Sequence, residues 1–229
     1  MSMKQRVRLF AALTILITAC GNLTNQVPTC PDFALFQGQI SETFTPQEFL
    51  SWITETQGVS ASDVKVLDGP PTSIIAYVWT IGNYRYSAEL EDDKFTEIRI
   101  GRMGRGGIPA HIVIECLGEP EIYRAFHHSN TQSLGGELRF EMVFPDLGIV
   151  ASGSTQYMRV PTAPLSVDEN FVIEYFLITS PGTAIELLQQ WYGNQAQKTF
   201  DWIHLWPENW GDIQVDVTPE MQRRLLGTH

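Results

Sequence analysis

The sequence predicts an α+β fold, built from tandem helix-plus-antiparallel-hairpin units with helices packed on one face of a mainly antiparallel sheet. Three observations predict this class. Segments with apolar residues at helical spacing begin near residues 46, 109 and 181, each at a proline and each ending at a glycine. Segments of alternating apolar and polar residues fill the intervals. Short turns join successive strands, which favours antiparallel pairing.

The first helical segment carries the clearest local signals. Thr45 can cap the helix, Pro46 suits its first position, and Glu48 completes a capping box. Gly58 ends the segment. The side chains predicted to point inward are Phe49, Leu50, Trp52 and Ile53.

Two further helical segments repeat this pattern. The second follows Ile108-Pro109 and ends at Gly118, with a predicted inward stripe of Ile112, Val113, Cys116 and Leu117. The third follows Ser180-Pro181 and ends at Gly193, with a predicted inward stripe of Ile185, Leu188, Trp191 and Tyr192. A proline at residue 219 predicts a short last helix.

Strands are predicted at 73–80, 84–91, 96–100, 122–128, 137–144, 149–154 and 170–178. In the second of these, aromatic and aliphatic residues alternate with polar ones, which indicates one buried and one solvated face. The segment 170–178 is apolar on both faces, so we expect it to be a central strand.

The N-terminus predicts export and lipidation. Lys4, Arg6 and Arg8 precede an apolar run over 9–19, which is too short to span a bilayer and is typical of a signal peptide. The run ends in Ile-Thr-Ala before Cys20, which resembles the lipobox of bacterial lipoproteins. We expect cleavage before Cys20 and diacylation of its thiol. The alternative is an ordinary signal peptide cut near Ala19, with Cys20 a free thiol.

The predicted organisation is a lipoprotein signal peptide (1–19), a tether (20–31) and a single α+β domain (32–229). That domain contains two similar units, at about 40–101 and 108–178, followed by a C-terminal helix and a Trp-rich segment. No linker is long enough to require independent domains.

Composition limits the possible partners. The 229 residues carry a net charge of −11, which argues against a nucleic-acid binder. Hydrophobic residues make up 43% and charged residues only 18%, which excludes a disordered chain. The predicted partners are the membrane, through the N-terminal lipid, and an unidentified envelope protein or glycan.

Four parts of the chain carry a resemblance to known families. They are Cys30 with the helix near 49–56, the segment 114–120 (Ile-Glu-Cys-Leu-Gly-Glu-Pro) before a strand, 144–150 (Phe-Pro-Asp-Leu-Gly-Ile-Val), and 206–215 with Trp-Gly-Asp-Ile at 210–213. Together they resemble uncharacterised surface lipoproteins of Chloroflexus-like filamentous bacteria. One helix-and-strands unit is also similar to the small outer-membrane assembly lipoproteins of the SmpA/OmlA kind and to the tandem β-lactamase-inhibitor-like fold. The first of these unit-level similarities implies an adaptor and the second a protein-binding face.

Two cysteines follow Cys20 in the sequence. Outside the cytoplasm, Cys30 and Cys116 could form a disulfide that pins the tether to the core. Cys116 lies on an apolar helical segment, so it could equally be a small buried hydrophobic residue. The sequence leaves these two interpretations open.

The sequence predicts no catalytic residue, metal site or cofactor. There is no Gly-x-Ser-x-Gly motif. His127 and His128 are adjacent in a predicted strand and would point to opposite faces, so we interpret them as surface histidines.

The segment 200–212 is rich in aromatic residues. We expect it to be a buried strand with an aromatic corner. The alternative is an exposed platform formed by Trp202, Trp206, Trp210 and Asp212, which could stack on sugar rings or anchor a protein.

These observations predict a non-enzymatic, lipid-anchored protein of the cell membrane or outer membrane that binds another protein or acts as an assembly adaptor. The alternative is a carbohydrate- or peptidoglycan-binding module that uses 200–212, and a hydrolase with scattered site residues is a third hypothesis. An exposed strand edge would favour the first function by strand addition. A large exposed aromatic patch would favour the second.

Overall fold

The computed structural model describes residues 30–68, 74–103, 106–129, 136–157, 166–193 and 202–217. Within these ranges, four helices and a large antiparallel sheet confirm the predicted α+β class. The helices are α1 (Phe33–Gln37), α2 (Pro46–Gln57), α3 (Ala110–Leu117) and α4 (Ala184–Tyr192). None of these helices is long and apolar enough to cross a membrane. The signal peptide, Cys20 and the predicted last helix lie outside the described residues.

Most of the strands coincide with the predicted segments. Their bounds are β1 (Lys65–Asp68), β2 (Ile74–Ile81), β3 (Tyr84–Glu91), β4 (Lys94–Arg102), β5 (Ile108–Pro109), β6 (Ile122–Ser129), β7 (Gly136–Phe144), β8 (Ile149–Tyr157), β9 (Val172–Ile173), β10 (Tyr175–Thr179), β11 (His204–Leu205) and β12 (Asp216–Val217). The short strands β1, β5 and β12 were not predicted as separate elements, whereas β11 lies within the segment 200–212 that was predicted to contain a strand. The three unpredicted strands are too short for an alternation of side chains to identify them.

Strand β10 joins the two halves of the sheet. The order is β1-β2-β3-β4-β10-β8-β7-β6-β11, with β12 pairing in parallel to β6. Phe176 of β10 lies opposite Ile100 of β4 on one side and Ala151 of β8 on the other. The predicted strand at 170–178 is divided into two elements. The central position is confirmed for β10, whereas β9 pairs with β5 in a separate two-stranded sheet.

Three helices cover the front face of the sheet, which we define as the face that carries Ile98, Phe140 and Phe176. The side chains of α1, α2 and α3 join these residues in one core. Phe49 of α2 packs on Phe95, with ring centroids 4.9 Å apart. Helix α2 begins and ends as predicted, with the Thr45–Glu48 capping box formed and Gly58 in the left-handed conformation.

Helix α4 covers the opposite face of the sheet, which we call the back face. Its Leu187 and Leu188 pack on an apolar row formed by Ile122, Val143, Val150 and Leu177. Ile185 was predicted to point inward, but it is 49% exposed, whereas Leu187 is 1% exposed. Residues two apart lie about 160° apart around a helix, so only one of this pair can face the sheet.

Candidate functional site

A disulfide joins the N-terminal end of the domain to α3. Cys30 and Cys116 are bonded, with their Cα atoms 6.5 Å apart. Cys116 was predicted to lie on the inward stripe of its helix, but the residue is exposed, while Val113 of the same helix is fully buried. The bond therefore lies at the surface and ties the end of the predicted tether to the domain.

The Trp-rich segment lies across both faces of the sheet. Trp206 and Trp210 meet edge to face at 5.2 Å and pack on Phe140 of the front face. Trp202 instead packs at 5.3 Å on Phe126, which belongs to the back face.

The three tryptophans therefore do not share one flat surface. Asp212 is exposed and accepts a hydrogen bond of 3.3 Å from the side chain of Asn209. Only His204 and Leu205 form a strand, so the predicted alternation does not continue along the whole segment. Leu205 is 79% exposed.

A histidine–carboxylate pair holds this segment on the sheet. His204 Nε2 lies 2.7 Å from Asp216 Oδ2, and the His204 ring stacks on Tyr123 at 5.3 Å. The hydroxyl of Tyr123 accepts a hydrogen bond from the backbone N–H of Gln214. These contacts place β11 and β12 against β6, and the two-residue strand β11 ends the described sheet on this side.

The other edge of the sheet is open within the described part of the chain. Strand β1 pairs with β2 on its inner side, from Lys65 opposite Val78 to Asp68 opposite Ile75. No described strand pairs with its outer side. Val66 and Leu67 are 48% and 55% exposed. This edge therefore combines unpaired main-chain groups with two exposed apolar side chains.

A buried ion pair lies on the back face beneath the end of α4. Arg124 Nη1 is 3.1 Å from Glu141 Oε2, and both side chains are fully buried. Tyr192 donates a hydrogen bond to the other oxygen of Glu141. Arg124 Nε and Nη2 have no hydrogen-bond acceptor among the described residues, and the guanidinium packs between the rings of Phe126 and Tyr192.

Burial sets the titration behaviour of this pair. It raises the pKa of Glu141, and the charge of Arg124 and the hydrogen bond from Tyr192 oppose that rise. Burial and the neighbouring carboxylate of Glu141 raise the pKa of Tyr192. Because the side chains of Arg124 and Glu141 are fully buried, they cannot meet a substrate in this conformation.

The predicted surface histidines have different surroundings. His127 is only 4% exposed, which corrects its prediction as a surface residue, and burial lowers its pKa. The side chain of His128 lies outside the described residues. In the described part of the chain, no group of three or more His, Cys, Asp or Glu side chains is arranged to hold a metal ion.

Sequence reasoning missed the open edge. The segment 65–68 has an apolar pair between a lysine and an aspartate, and four residues are too few for periodicity to indicate a strand. Its position at the edge depends on which strands pair across the whole sheet.

Comparison with known proteins shows only distant similarity. No protein-family model matches the chain, and no curated protein matches it significantly. A cysteine-rich secretory protein from Staphylococcus aureus is 8% identical, with a TM-score of 0.31, over 62% of this chain and 45% of that protein. The match thus spans less than half of the staphylococcal protein.

A candidate beta-lactamase inhibitor protein from Streptococcus mutans is 13% identical, with a TM-score of 0.24, over 56% of this chain and 90% of that protein. An inhibitor-like structure is therefore among the distant neighbours of the chain. At these TM-scores, neither structure informs the function.

Proposed function

We propose that this chain is a non-enzymatic, lipid-anchored protein of the cell envelope that binds an extended segment of another protein along the outer side of β1. The observation that carries the proposal is a difference between the two ends of the sheet. At one end, β1 is four residues long, carries two exposed apolar side chains and has no described strand on its outer side. At the other end, β11 and β12 are two residues long each, and so short an edge offers little to an added strand.

The chemistry of β1 suits strand addition. An edge strand offers unpaired N–H and C=O groups to an incoming extended segment, and these main-chain hydrogen bonds supply affinity. Val66 and Leu67 point to opposite faces of the strand and are both exposed, so a partner could contact one apolar side chain on each face. Apolar contacts of this kind supply specificity.

The occupant we propose is a different protein rather than a second copy of this chain. The net charge of −11 opposes self-association, because two like-charged copies repel each other at distances too short for salt to screen their charges. The same charge favours a neutral or basic partner. The lipid at Cys20 would place the domain in the envelope, and the Cys30–Cys116 disulfide supports an oxidising compartment outside the cytoplasm.

Site-specific photo-crosslinking in the native cells tests this function. A photoreactive phenylalanine analogue at residue 67 is expected to give one discrete adduct with another protein. The same analogue at residue 205 is the matched control, because Leu205 is still more exposed but lies in an edge strand of only two residues. Val66→Lys should abolish the adduct, since a charge at an edge strand opposes strand addition.

The possible failures of this experiment are distinct. An adduct with twice the mass of the chain would show that the partner is a second copy of this chain and not a different protein. Equal adducts from residues 67 and 205, or none from residue 67, would overturn the proposal.

A further inference from the structure

A polar cleft opens on the back face of the sheet beside the last turn of α4. Its volume is about 360 Å³, within the range of small-molecule sites. The residues that line it are Glu137, Arg139, Ser152, Gly153, Ser154, Tyr175 and Trp191. The cleft is separate from the β1 edge and from the Trp-rich segment.

Cross-strand register builds the floor of the cleft. Ser152 of β8 lies opposite Tyr175 of β10, and Ser154 lies opposite Arg139 of β7. Paired residues point to the same face of a sheet, so these polar side chains converge. Glu137 Oε1 accepts a hydrogen bond of 2.8 Å from Arg139 Nε, and the same oxygen lies 2.7 Å from Arg139 Nη2. The guanidinium is therefore already held in place, which reduces the entropy lost on binding.

Two aromatic rings flank this floor. Tyr175 is 46% exposed, and its ring lies over Gly101 of β4, where a Cβ atom would be only 3.1 Å from the ring. Glycine at this position therefore gives the Tyr175 ring room to lie flat on the sheet. Trp191 is half-buried, packs beside the apolar row under α4 and has the Arg99 guanidinium 5.9 Å from its ring centroid. Both rings are thus positioned before any ligand arrives.

The lining has an unusual balance of groups. Among the described residues, the lining contains two aromatic rings, two serine hydroxyl groups and one carboxylate paired with one guanidinium, but no aliphatic side chain. Serine hydroxyls both donate and accept hydrogen bonds, arginine only donates and an ionised carboxylate only accepts. An aliphatic lipid chain would find no aliphatic surface here. A phosphate-bearing ligand would meet a guanidinium that is already neutralised, on a chain of net charge −11.

We propose that this cleft is a binding site for a neutral saccharide. A sugar ring presents C–H groups on its faces and hydroxyl groups at its edge, and the hydroxyls both donate and accept. The faces would stack on Tyr175 and Trp191, and the hydroxyls would reach Ser152, Ser154 and the Glu137–Arg139 pair. This site is independent of the proposed protein-binding edge and would allow the chain to hold a glycan and a protein at once.

Variants at Tyr175 isolate the stacking contact. Tyr175→Ala is expected to weaken saccharide binding about tenfold, because it removes an aromatic face. Tyr175→Phe keeps the ring and should bind within about threefold of the wild type. Gly101→Ala is expected to weaken binding less than Tyr175→Ala, since its methyl group would shift the Tyr175 ring by only a few tenths of an ångström. Trp210→Ala is the matched control, because Trp210 packs on the front face.

The test is a glycan array probed with the labelled full-length chain in a detergent without sugar groups, followed by calorimetry with the neutral oligosaccharides that are retained. Inorganic phosphate is titrated as the anionic control, and circular dichroism verifies that each variant is folded. Binding of a neutral oligosaccharide that is weakened by Tyr175→Ala and by Gly101→Ala, but not by Trp210→Ala, would support the site.

Three results would overturn the proposal of a saccharide site. They are the absence of any retained neutral glycan, the binding of phosphate in place of sugar, and a loss of binding with Trp210→Ala that equals the loss with Tyr175→Ala. The last result would transfer the site to the Trp-rich segment.

Discussion

Arg124 and Glu141 face each other across β6 and β7, and both side chains are completely buried. Their charged atoms are 3.1 Å apart, and Tyr192 adds a hydrogen bond from the end of α4. A buried pair of this kind is expensive to desolvate, and it becomes strongly destabilising when one partner is removed. The network therefore links the end of α4, which lies beside the proposed saccharide cleft, to the buried ion pair of the back face.

The two partners of this ion pair should not be equivalent in mutagenesis. Glu141→Leu leaves an arginine that cannot lose its proton, so we expect it to lower the free energy of unfolding by about 3–5 kcal/mol. Arg124→Met should cost less, because burial already raises the pKa of Glu141 and the carboxyl can take up a proton.

Urea denaturation of both single variants and of the triple variant Arg124→Met, Glu141→Leu, Tyr192→Phe measures these differences. The triple variant should recover most of the stability lost in Glu141→Leu, since apolar groups replace the whole network. Equal losses in the two single variants would show that protonation of Glu141 does not relieve the buried charge.

The disulfide should stabilise the domain substantially. It connects residues 86 apart in sequence, and constraining a loop of this length in the unfolded chain stabilises the folded state by about 4 kcal/mol in the chain-entropy model. We expect the double variant Cys30→Ala, Cys116→Ala to unfold at a lower urea concentration. Added dithiothreitol should destabilise the wild type and leave the double variant unchanged. Equal stability of the two proteins under oxidising conditions would contradict a bonded pair.

The capping boxes of α2 and α4 should contribute to acid sensitivity. Thr45 caps α2 beside Glu48, and Thr183 caps α4 beside Glu186. In both boxes, hydrogen bonds from the threonine lower the pKa of the glutamate, and the bond from the backbone N–H has a larger effect than the bond from the hydroxyl. Carboxyl groups with a lowered pKa stabilise the fold above the pKa of the unfolded chain, about 4.3 for Glu, and that stabilisation is lost as pH falls through the folded pKa.

The double variant Glu48→Gln, Glu186→Gln should therefore lose less stability than the wild type between about pH 5 and pH 3, because glutamine keeps the box without a charge. Glu55→Gln, near the C-terminal end of α2, is the control for removal of a charge elsewhere. Thermal unfolding followed by circular dichroism across this pH range measures the difference. Parallel pH profiles for wild type and double variant would refute the capping contribution.

Local signals predicted α2, α3 and α4, although α4 begins at Ala184 rather than near residue 181, and they missed α1. Long-range pairing was not predictable. Helix α2 follows the predicted bounds because its cap, first-turn proline and terminal glycine are encoded within a few residues. The prediction that Ile185 belongs to the inward stripe of α4 was wrong, since the sequence does not say which side of this helix meets the sheet. The open edge at β1 and the cleft beside Tyr175 depend on the order of strands from distant parts of the chain. Trp202 packs on the opposite face of the sheet from Trp206 and Trp210, and this arrangement also depends on how distant strands pair.

The Trp-rich segment should act mainly through stability. Trp210 packs on Trp206 and Phe140, so Trp210→Ala is expected to cost about 2 kcal/mol, less than the loss of a fully buried tryptophan. Leu205→Ala is the matched control in the same segment, because its side chain is 79% exposed and its loss should change stability by less than about 0.5 kcal/mol. Urea denaturation of both variants tests this contrast. A Trp210→Ala variant as stable as the wild type would favour a surface role for this ring.

Lipidation at Cys20 is a prediction from the sequence alone and is open to a direct test. Cys20→Ala removes the thiol that would carry the lipid, so we expect the chain to incorporate no labelled palmitate and to leave the membrane fraction. Cys116→Ala serves as the control, because it also removes a cysteine. Labelling that persists in Cys20→Ala would place the lipid elsewhere, and the absence of labelling in the wild type would remove the anchor from the proposal.

The central claim is that β1 forms main-chain hydrogen bonds with another protein, and amide hydrogen exchange measures this most directly. Exchange at residues 65–68 should be compared in the full-length chain alone and with the protein captured from residue 67. Strand addition predicts that outward-facing amides of β1 exchange more slowly in the complex, while amides of the two-residue strand β11, at the other end of the sheet, do not change. Unchanged exchange at residues 65–68 in a complex that still forms would contradict strand addition.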